Sequence, residues 1–350
     1  MIIALINNKG GVGKTTTALN LAAALVSPDQ RVLLLDLDSQ GAAGLSLGVP
    51  RPQFKPSMAE VLMHSEPLRS VIRNTGVPGL GVVTGSNELA TFDMALAALE
   101  QKESRLRIAL EPVRNDYAHI LIDCPPSFSL LSINALLAAD YYIVPVTPQV
   151  LAISGVASLV EAIDQLSDRN LGAVAVLMGF LMTMVDYRNK STQRLVETIK
   201  ANWQDNVFKT EIRINVKLAE GPALGKTIFQ HAPRSTGAAA YRDLAAEILQ
   251  RWSEDYAPQG EAQPADVAQA VSLRPTGSTA GATAESVAEP AAEVVAAPAA
   301  EPSAEPAAEP VAEPAAEPLA TAAPQYSTVE LLGKYAARQS KSAPKGNDQG

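Results

Sequence analysis

Lys9-Gly10-Gly11-Val12-Gly13-Lys14-Thr15-Thr16 directly follows the apolar run at residues 2–6. The glycines let successive backbone N–H groups turn toward one anion, and the helix that begins there adds its positive N-terminal end. Lys14 can reach the outer phosphates of a nucleotide, and Thr15 can place its hydroxyl on Mg²⁺. The stretch therefore predicts a strand, a phosphate-binding loop and a helix. It also contains a second lysine, Lys9, that the loop's own nucleotide does not need.

The first 255 residues alternate apolar, strand-like runs with helix-like stretches. Strands are predicted at residues 2–6, 32–35, 81–84, 120–122, 142–146 and 173–182. Helices are predicted at residues 15–25, 130–137, 155–165, 191–203 and 238–252. Continuous apolarity indicates strands buried on both faces, and right-handed crossovers bring the loops after such parallel strands to one edge. The predicted fold class is α/β, with a P-loop, doubly wound, mostly parallel sheet flanked by helices and followed by a disordered Ala/Pro/Glu-rich tail.

The composition limits the classes of protein to which the chain can belong. Its single cysteine, Cys124, excludes an internal disulfide and a CxxC metal site, and we expect it to be a small buried residue. Residues 171–185 are apolar, but they contain Gly172 and Gly179 and end at Asp186, which favours a core strand over a membrane span. The chain enters its first strand at once, without a signal peptide, so we expect a cytoplasmic protein.

The formal net charge of −9 is unevenly distributed along the chain. Residues 258–325 contain ten acidic residues and one base, Arg274, which together equal the whole net charge. Residues 188–251 instead contain eleven Lys/Arg and six Asp/Glu. An acidic protein can therefore still present a basic face to a partner.

Three further segments accompany the phosphate-binding loop. Residues 31–41 (RVLLLDLDSQG) and 119–126 (HILIDCPP) each indicate a buried strand that ends in carboxylates, and residues 215–226 read NVKLAEGPALGK. The order and spacing of these segments, over roughly residues 1–255, resemble the ParA/MinD family of deviant Walker A ATPases, and most closely its Soj-like ParA branch. We therefore assign residues 1–256 to a ParA-type P-loop ATPase domain. The chain departs from the common pattern of that branch at Ser39, at Arg213-Ile214, at Thr236 and at Gln149-Val150-Leu151-Ala152.

The resemblance implies ATP and Mg²⁺ as cofactors and suggests a task for each site residue. The expected nucleotide contacts are Lys9, Gly10, Gly11, Val12, Gly13, Lys14, Thr15, Thr16, Arg213 and Asn215. Thr15 and Asp123 would hold Mg²⁺, with Asp36 as a second candidate. Asp38 would position or activate the attacking water, so the expected catalytic set is Asp38, Lys14 and Lys9. The alternative is that these carboxylates only end strands or cap helices.

The resemblance also implies that Lys9 crosses to the nucleotide of a second subunit. Two ATP molecules enclosed face to face concentrate negative charge, which a lysine from each side offsets, so an ATP-dependent homodimer is expected. Pairing doubles the basic contacts available on one face, and the chain has no base-reading motif, which favours non-specific nucleoid DNA as a partner. The DNA-binding candidates are Arg188, Lys190, Arg194, Lys217, Lys226 and Arg234. The alternative is that these residues form a scattered, solvated basic surface.

The composition changes after residue 256, where Ala, Pro and Glu dominate. We expect a disordered linker at residues 257–325, because such a tract cannot bury enough apolar surface to offset the entropy cost of ordering. Residues 326–350 form a C-terminal tail with a short amphipathic helix predicted at about 328–338. Ser327 and Glu330 match the capping box that starts such a helix. We expect the tail to dock a protein partner and do not expect it to bind a membrane, because the apolar face is short. The alternative is that the tail has no specific role.

The expected function is that of a ParA-like ATPase that positions or segregates a cargo on the nucleoid. The cargo would be a plasmid or chromosome partition complex or a protein assembly, and a ParB-like or cargo adaptor protein would stimulate ATP hydrolysis. A MinD-like ATPase that cycles on a membrane is the alternative, although it would need a stronger amphipathic C-terminal helix than residues 329–338 offer. A metal-cluster carrier is disfavoured because the chain has one cysteine.

Overall fold

The computed structural model describes residues 1–97, 101–169 and 171–256, with side chains described except at residues 150–154 and 255–256. These residues form an eight-stranded sheet with the order β3-β4-β2-β5-β1-β6-β7-β8. The strands are β1 (Ile2–Leu5), β2 (Val32–Asp36), β3 (Arg73–Asn74), β4 (Leu80–Val83), β5 (His119–Asp123), β6 (Tyr141–Val146), β7 (Val176–Val185) and β8 (Ile212–Arg213). Neighbouring strands are parallel except β3, which pairs with β4 in the antiparallel direction.

Helices cover both faces of this sheet. In the described residues they are α1 (Lys14–Leu25), α2 (Ala42–Ser46), α3 (Met58–His64), α4 (Leu68–Val71), α5 (Phe92–Ala95), α6 (Arg105–Leu110), α7 (Leu130–Ala138), α8 (Val150–Ser167), α9 (Lys190–Trp203), α10 (Val216–Ala223), α11 (Ile228–His231) and α12 (Thr236–Tyr256). Side chains of α1, α2 and α10–α12 pack in one apolar cluster, and those of α3 and α6–α9 pack in the other. The fold is therefore a three-layer α/β/α arrangement.

The central strand β1 explains why the sheet needs helices on both faces. Ile2 and Ala4 belong to one apolar cluster, whereas Ile3 and Leu5 belong to the other. Successive side chains of a strand point to opposite faces, so a continuously apolar strand requires two covering layers. Each buried core side chain of this size contributes roughly 1.5–3 kcal/mol to folding relative to its exposed state.

The predicted fold class is confirmed, and the main differences concern the bounds of elements. All six predicted strands are present, but β7 lies three residues later than predicted, because its pairing with β6 begins where Val176 lies opposite Tyr141. The helix predicted at 155–165 begins five residues earlier, at Val150. No pattern in the sequence indicates β3 and β8, which have two residues each.

Two predictions lie outside the described residues. These are the linker at residues 257–325 and the C-terminal tail at residues 326–350 with its helix at about 328–338, so the boundaries of both stay predictions. Within the part of the chain that the structure describes, no helix is both long enough and apolar enough to cross a membrane.

Candidate nucleotide site

The sheet topology brings the predicted site segments together at one edge. Strand β5 lies between β1 and β2, so Asp123 is in register with both Leu5 and Asp36. The loop that follows β1 begins at this point and leads into α1. Gly11 and Gly13 in this loop have φ values of 72° and 85°, a conformation in which glycine is strongly favoured. The carboxyl ends of the three central strands therefore surround the glycine-rich loop.

Neighbouring strands hold the glycine-rich loop in place. The amide of Asn7 donates to the carbonyl of Pro145 on β6 at 2.7 Å, and its Oδ1 accepts from the backbone N–H of Lys9 at 2.9 Å. On the other side, the buried hydroxyl of Thr183 on β7 donates to the carbonyl of Val12 at 2.8 Å. These hydrogen bonds fix the backbone of the loop without using the amides that an anion needs. Sequence reasoning missed both supports.

The two lysines of the loop have different environments. Lys14 is only 7% exposed, and its Nζ donates to the carbonyl of Lys9 at 3.1 Å. Burial lowers the pKa of the Lys14 ammonium, and the carboxylate of Asp123 opposes that shift. The side chain of Lys9 is exposed, and its ammonium donates to Oε1 of Gln149. Lys14 is thus directed into the site and Lys9 away from it.

The two buried carboxylates also differ. Asp36 accepts hydrogen bonds from the backbone N–H groups of Asp38 and Ala43 at 3.0 and 2.9 Å, so it organises the turn into α2. Burial raises the pKa of Asp36 to about 7, although these two bonds act in the opposite direction. Neither oxygen of Asp123 has a partner with hydrogen-bond geometry in the described residues. Burial and the nearby Asp36 raise the pKa of Asp123 well above its ordinary value, while Thr15 and Lys14 lower it.

An unpartnered buried carboxylate is costly unless a cation or donor completes it. Asp123 therefore fits a divalent cation, which Asp123 and the hydroxyl of Thr15 would hold. Asp36, which was the second candidate, fits this task less well because backbone amides already occupy both of its oxygens. Asp38 lies on the same loop, half-buried, with its Oδ1 accepting from the N–H of Gln40 at 2.9 Å.

A mainly apolar cavity of about 330 Å³ opens beside the start of α1. Its lining residues are Gly13, Thr16, Thr17, Thr183, Met184, Ile212, Arg213, Ile214, Asn215, Leu218, Ala219 and Tyr241. The predicted contacts Arg213 and Asn215 are among them. Asn215 also caps α10 by accepting from the N–H of Lys217 at 2.9 Å, and its amide donates to the hydroxyl of Thr236 at 2.9 Å. The cavity has the polarity and position that a nucleotide base requires.

Sequence reasoning missed several residues of this cavity. Thr183, Met184 and Tyr241 come from β7 and α12, far along the chain from the glycine-rich loop, and they belong to no motif. The hydroxyl of Tyr241 lies 3.3 Å from that of Thr17, so α12 contacts α1 directly behind the loop. Only the topology of the sheet brings these side chains to the site.

The predicted DNA-binding residues are all exposed, but they are not equivalent. Arg188 forms a two-pronged hydrogen bond with Asp186, and Lys217 pairs with Glu220 at 2.8 Å. Within the described residues, the other candidates form no ion pair; these are Lys190, Arg194, Lys226 and Arg234. Arg188, Lys190 and Arg194 cluster after β7, whereas the other three follow β8 along α10 to α12. Both groups lie toward the edge of the sheet that carries the glycine-rich loop.

The fold and the site define a P-loop nucleotide-binding protein of the doubly wound α/β class. Residues 1–175 match the model of the AAA domain family. The chain is 40% identical to the sporulation initiation inhibitor protein Soj of Bacillus subtilis, over 71% of this chain and 97% of Soj. It is 42% identical to the chromosome-partitioning ATPase Soj of Thermus thermophilus, over 72% and 96% of the two chains. The chain belongs to the ParA/MinD family of deviant Walker A ATPases, in its Soj-like ParA branch.

A solved structure agrees with this assignment. Cobyrinic acid a,c-diamide synthase from Mycobacterium smegmatis has a TM-score of 0.63 and 30% identity, over 72% of this chain and 95% of that one. That protein was solved with bound ADP and magnesium and also with a bound ATP analogue and magnesium. The chain is thus an ATPase of its family, and its cofactors are ATP and Mg²⁺.

Proposed function

We propose that this ATPase forms a homodimer around two ATP molecules, binds nucleoid DNA without sequence preference and positions or segregates a cargo. ATP hydrolysis then releases the dimer and resets the cycle. The names of its relatives in Bacillus, Thermus and Myxococcus include a chromosome-partitioning ATPase and a chromosome partitioning protein, which supports a DNA partition complex as the cargo. The protein would act in the cytoplasm, on the nucleoid.

The observation that carries the proposal is that one lysine of the loop is buried and the other is exposed. Lys14 is buried and close to Asp123, so it can neutralise the phosphates of the nucleotide in its own subunit. Lys9 is exposed at the entrance of the loop, so in the proposed dimer its side chain would reach the nucleotide of the second subunit. A lysine from each side would offset the charge of two facing triphosphates, so ATP binding would drive pairing.

Hydrolysis requires a metal ion and a positioned water. In this proposal Asp123 and Thr15 hold Mg²⁺, which supplies charge neutralisation at the phosphates when it is bound. Asp38 orients the attacking water from the loop after β2, and Asp36 keeps that loop in shape through its bonds to Asp38 and Ala43. A ParB-like or cargo adaptor protein would accelerate this step.

Pairing would also explain how ATP controls DNA binding. One subunit offers a small number of unpaired basic side chains, among them Lys190, Arg194 and Arg234. A dimer doubles this number, and each phosphate contact adds to affinity and to its salt dependence. We expect Arg194→Ala to weaken DNA binding more than Arg188→Ala, because Arg188 is already paired with Asp186.

The decisive experiment uses the Asp38→Ala variant, which should bind ATP but fail to hydrolyse it and so stay dimeric. The purified variant with ATP and Mg²⁺ is offered random-sequence DNA in one arm and anionic liposomes in the other. Retention on DNA, lost when ADP replaces ATP, is the expected result. Retention on liposomes alone would contradict the nucleoid proposal and favour a MinD-like, membrane-cycling ATPase.

A further inference from the structure

Of the seven methionines, all of which lie within the described residues, Met94 and Met184 are exposed to solvent. Met184 is 44% exposed, and its side chain lines the apolar cavity beside the start of α1. Its Cε methyl lies 3.8 Å from the position that a Cβ of Gly13 would occupy, so it lies against the glycine-rich loop. Solvent can therefore reach the Met184 side chain at the point where the loop meets the cavity.

A bulge in β7 places Met184 at this point. Thr183 and Val185 pair with consecutive residues of β8, so Met184 is an extra residue between them. The φ value of Met184 is 53°, in the left-handed region that residues with a side chain rarely adopt. Such a conformation persists only where its surroundings impose it, and the hydroxyl of Thr183 donates to the carbonyl of Val12 at 2.8 Å. The backbone therefore fixes Met184 at the rim of the cavity.

The chemistry of a thioether makes this position sensitive to oxidation. A hydroperoxide transfers one oxygen atom to the sulfur: the S–O bond forms as the O–O bond breaks, the sulfur loses two electrons, and hydrogen peroxide is reduced to water. The product, methionine sulfoxide, is polar and chiral, whereas the thioether is apolar and flexible. A polar oxygen that is buried without a donor opposes binding in an apolar cavity.

We propose that Met184 is a modification site at which hydroperoxides weaken nucleotide binding. Bound ATP would shield the Met184 side chain, whereas the sulfoxide would bring an unpartnered polar group into the cavity. ATP and oxidation therefore oppose each other: bound ATP slows the oxidation, and the sulfoxide lowers the affinity for ATP. Methionine sulfoxide reductases make the modification reversible. The proposal rests on the nucleotide site and does not require the dimer.

The first measurement is the rate at which hydrogen peroxide oxidises each methionine of the full chain, followed by peptide mass spectrometry. Met184 should be oxidised about tenfold more slowly with a saturating non-hydrolysable ATP analogue and Mg²⁺ than without nucleotide. Met94 is the matched control, because it is 78% exposed on α5 and does not line the cavity, so its rate should not change. An equal rate for Met184 with and without the analogue would overturn the proposal.

The second measurement is the dissociation constant of the ATP analogue before and after peroxide treatment. The treated wild type should bind on the order of tenfold more weakly, and a methionine sulfoxide reductase should restore its affinity. Met94→Leu should lose affinity as the wild type does, whereas Met184→Leu should bind equally before and after treatment. Because the buried Cys124 is retained in every variant, this comparison also excludes its thiol as the target.

Two results would overturn the proposal: an unchanged affinity in the treated wild type, or an equal loss of affinity in treated Met184→Leu. Failure of the untreated wild type to bind the analogue would instead contradict the nucleotide site itself. The oxidation rates of Met184 and Met94 without nucleotide would still show whether the bulge leaves Met184 open to the peroxide.

Discussion

The carboxylates of Asp123 and Glu247 are both largely removed from solvent, but they lie at opposite edges of the sheet and differ in their hydrogen-bond partners. At the nucleotide edge, neither oxygen of Asp123 has a hydrogen-bond partner in the described residues, and burial raises its pKa. At the other edge, Glu247 accepts from the backbone N–H groups of Lys209 and Thr210 and from Arg251. Although burial raises the pKa of Glu247, these hydrogen bonds hold it below its ordinary value.

The guanidinium of Arg251 likewise has its hydrogen-bond partners within the chain. It donates to the carbonyls of Met178, Asp205 and Val207 at 3.0–3.1 Å and stacks 4.3 Å from the ring centroid of Phe208. The charged groups of Glu247 and Arg251 thus have their partners within the chain, whereas the carboxylate of Asp123 at the nucleotide edge lacks them in the described residues. This difference supports the proposal that Asp123 and Lys14 bind a ligand, because a buried charge without a partner in the chain is typical of a functional site.

The largest effect is expected for Lys14→Met. In the proposed site the Lys14 ammonium would face the phosphates, so its removal should reduce ATP hydrolysis by about a thousandfold. The free energy of unfolding should not fall, because burial already disfavours the charged form of Lys14. Steady-state ATPase assays and urea unfolding would check this. A large loss of stability would show that Lys14, like Arg251, stabilises the fold, and would contradict the difference between the two edges.

Arg251→Met should have the opposite effects, a lower stability and unchanged ATP hydrolysis. It removes four hydrogen bonds and leaves Glu247 without its cation, so we expect a loss of about 3 kcal/mol in the free energy of unfolding. ATP hydrolysis per folded molecule should stay at the wild-type level, because the residue is remote from the glycine-rich loop. Chemical denaturation and ATPase assays at a temperature where both proteins are folded would measure the two quantities. A free energy of unfolding equal to that of the wild type would show that the hydrogen bonds of Arg251 do not stabilise the fold.

His119 is the exception at the far edge, because both ring nitrogens are buried without a hydrogen-bond partner in the described residues. Burial lowers its pKa to about 4, below the value of about 6.5 in an unfolded chain. Between these values the unfolded state takes up a proton that the folded state does not, so stability falls as the pH drops from 6.5 toward 4.

The variant His119→Leu should remove this dependence. Relative to the variant, the wild type should lose about 2 kcal/mol of unfolding free energy between pH 7.5 and pH 5. The raised pKa of Asp36 acts in the opposite direction over part of this range, but it is common to both proteins and cancels in the difference. Urea unfolding at the two pH values gives the result. If the free energy of unfolding changed equally with pH in the wild type and in His119→Leu, His119 would have to gain a partner when it is protonated.

The smallest effect is expected for Asp123→Asn. Without Mg²⁺, replacement of the unpartnered carboxylate by a neutral amide should raise the free energy of unfolding by about 1 kcal/mol, because a buried charged group without a partner costs more than a buried neutral one. With Mg²⁺ and ATP, the variant should lose the stabilisation that the metal gives the wild type. Thermal unfolding in the presence of Mg²⁺ or a chelator would measure both differences. If the Asp123→Asn variant were less stable than the wild type in the chelator, the carboxylate would be satisfied within the chain after all.

The central strands could be predicted from the sequence because their apolar runs are continuous, as in β1, β2 and β5. Strands β3 and β8 could not, because two-residue edge strands such as Arg73–Asn74 have no hydrophobic pattern and depend on pairing with a neighbour. The start of α8 was predicted too late because the helix begins within an apolar stretch that has no capping signal.

The site, too, could be predicted only where a local sequence pattern marks it. The glycine-rich loop, Asp36, Asp38 and Asp123 were found because each belongs to a short motif next to a strand. The supports of the loop, Asn7 and Thr183, act through hydrogen bonds that only the strand order creates. The different tasks of Asp36 and Asp123 also needed the structure, because the two carboxylates look alike in sequence and differ in whether backbone amides reach them.

The most direct test of the account is the solution mass of the wild type and of Lys9→Ala, each with a non-hydrolysable ATP analogue and Mg²⁺. Light scattering should give twice the chain mass of 36.8 kDa for the wild type and a single chain mass for Lys9→Ala, with equal nucleotide content in both. A nucleotide-saturated wild type that stays monomeric, or a Lys9→Ala variant that dimerises as tightly as the wild type, would contradict it.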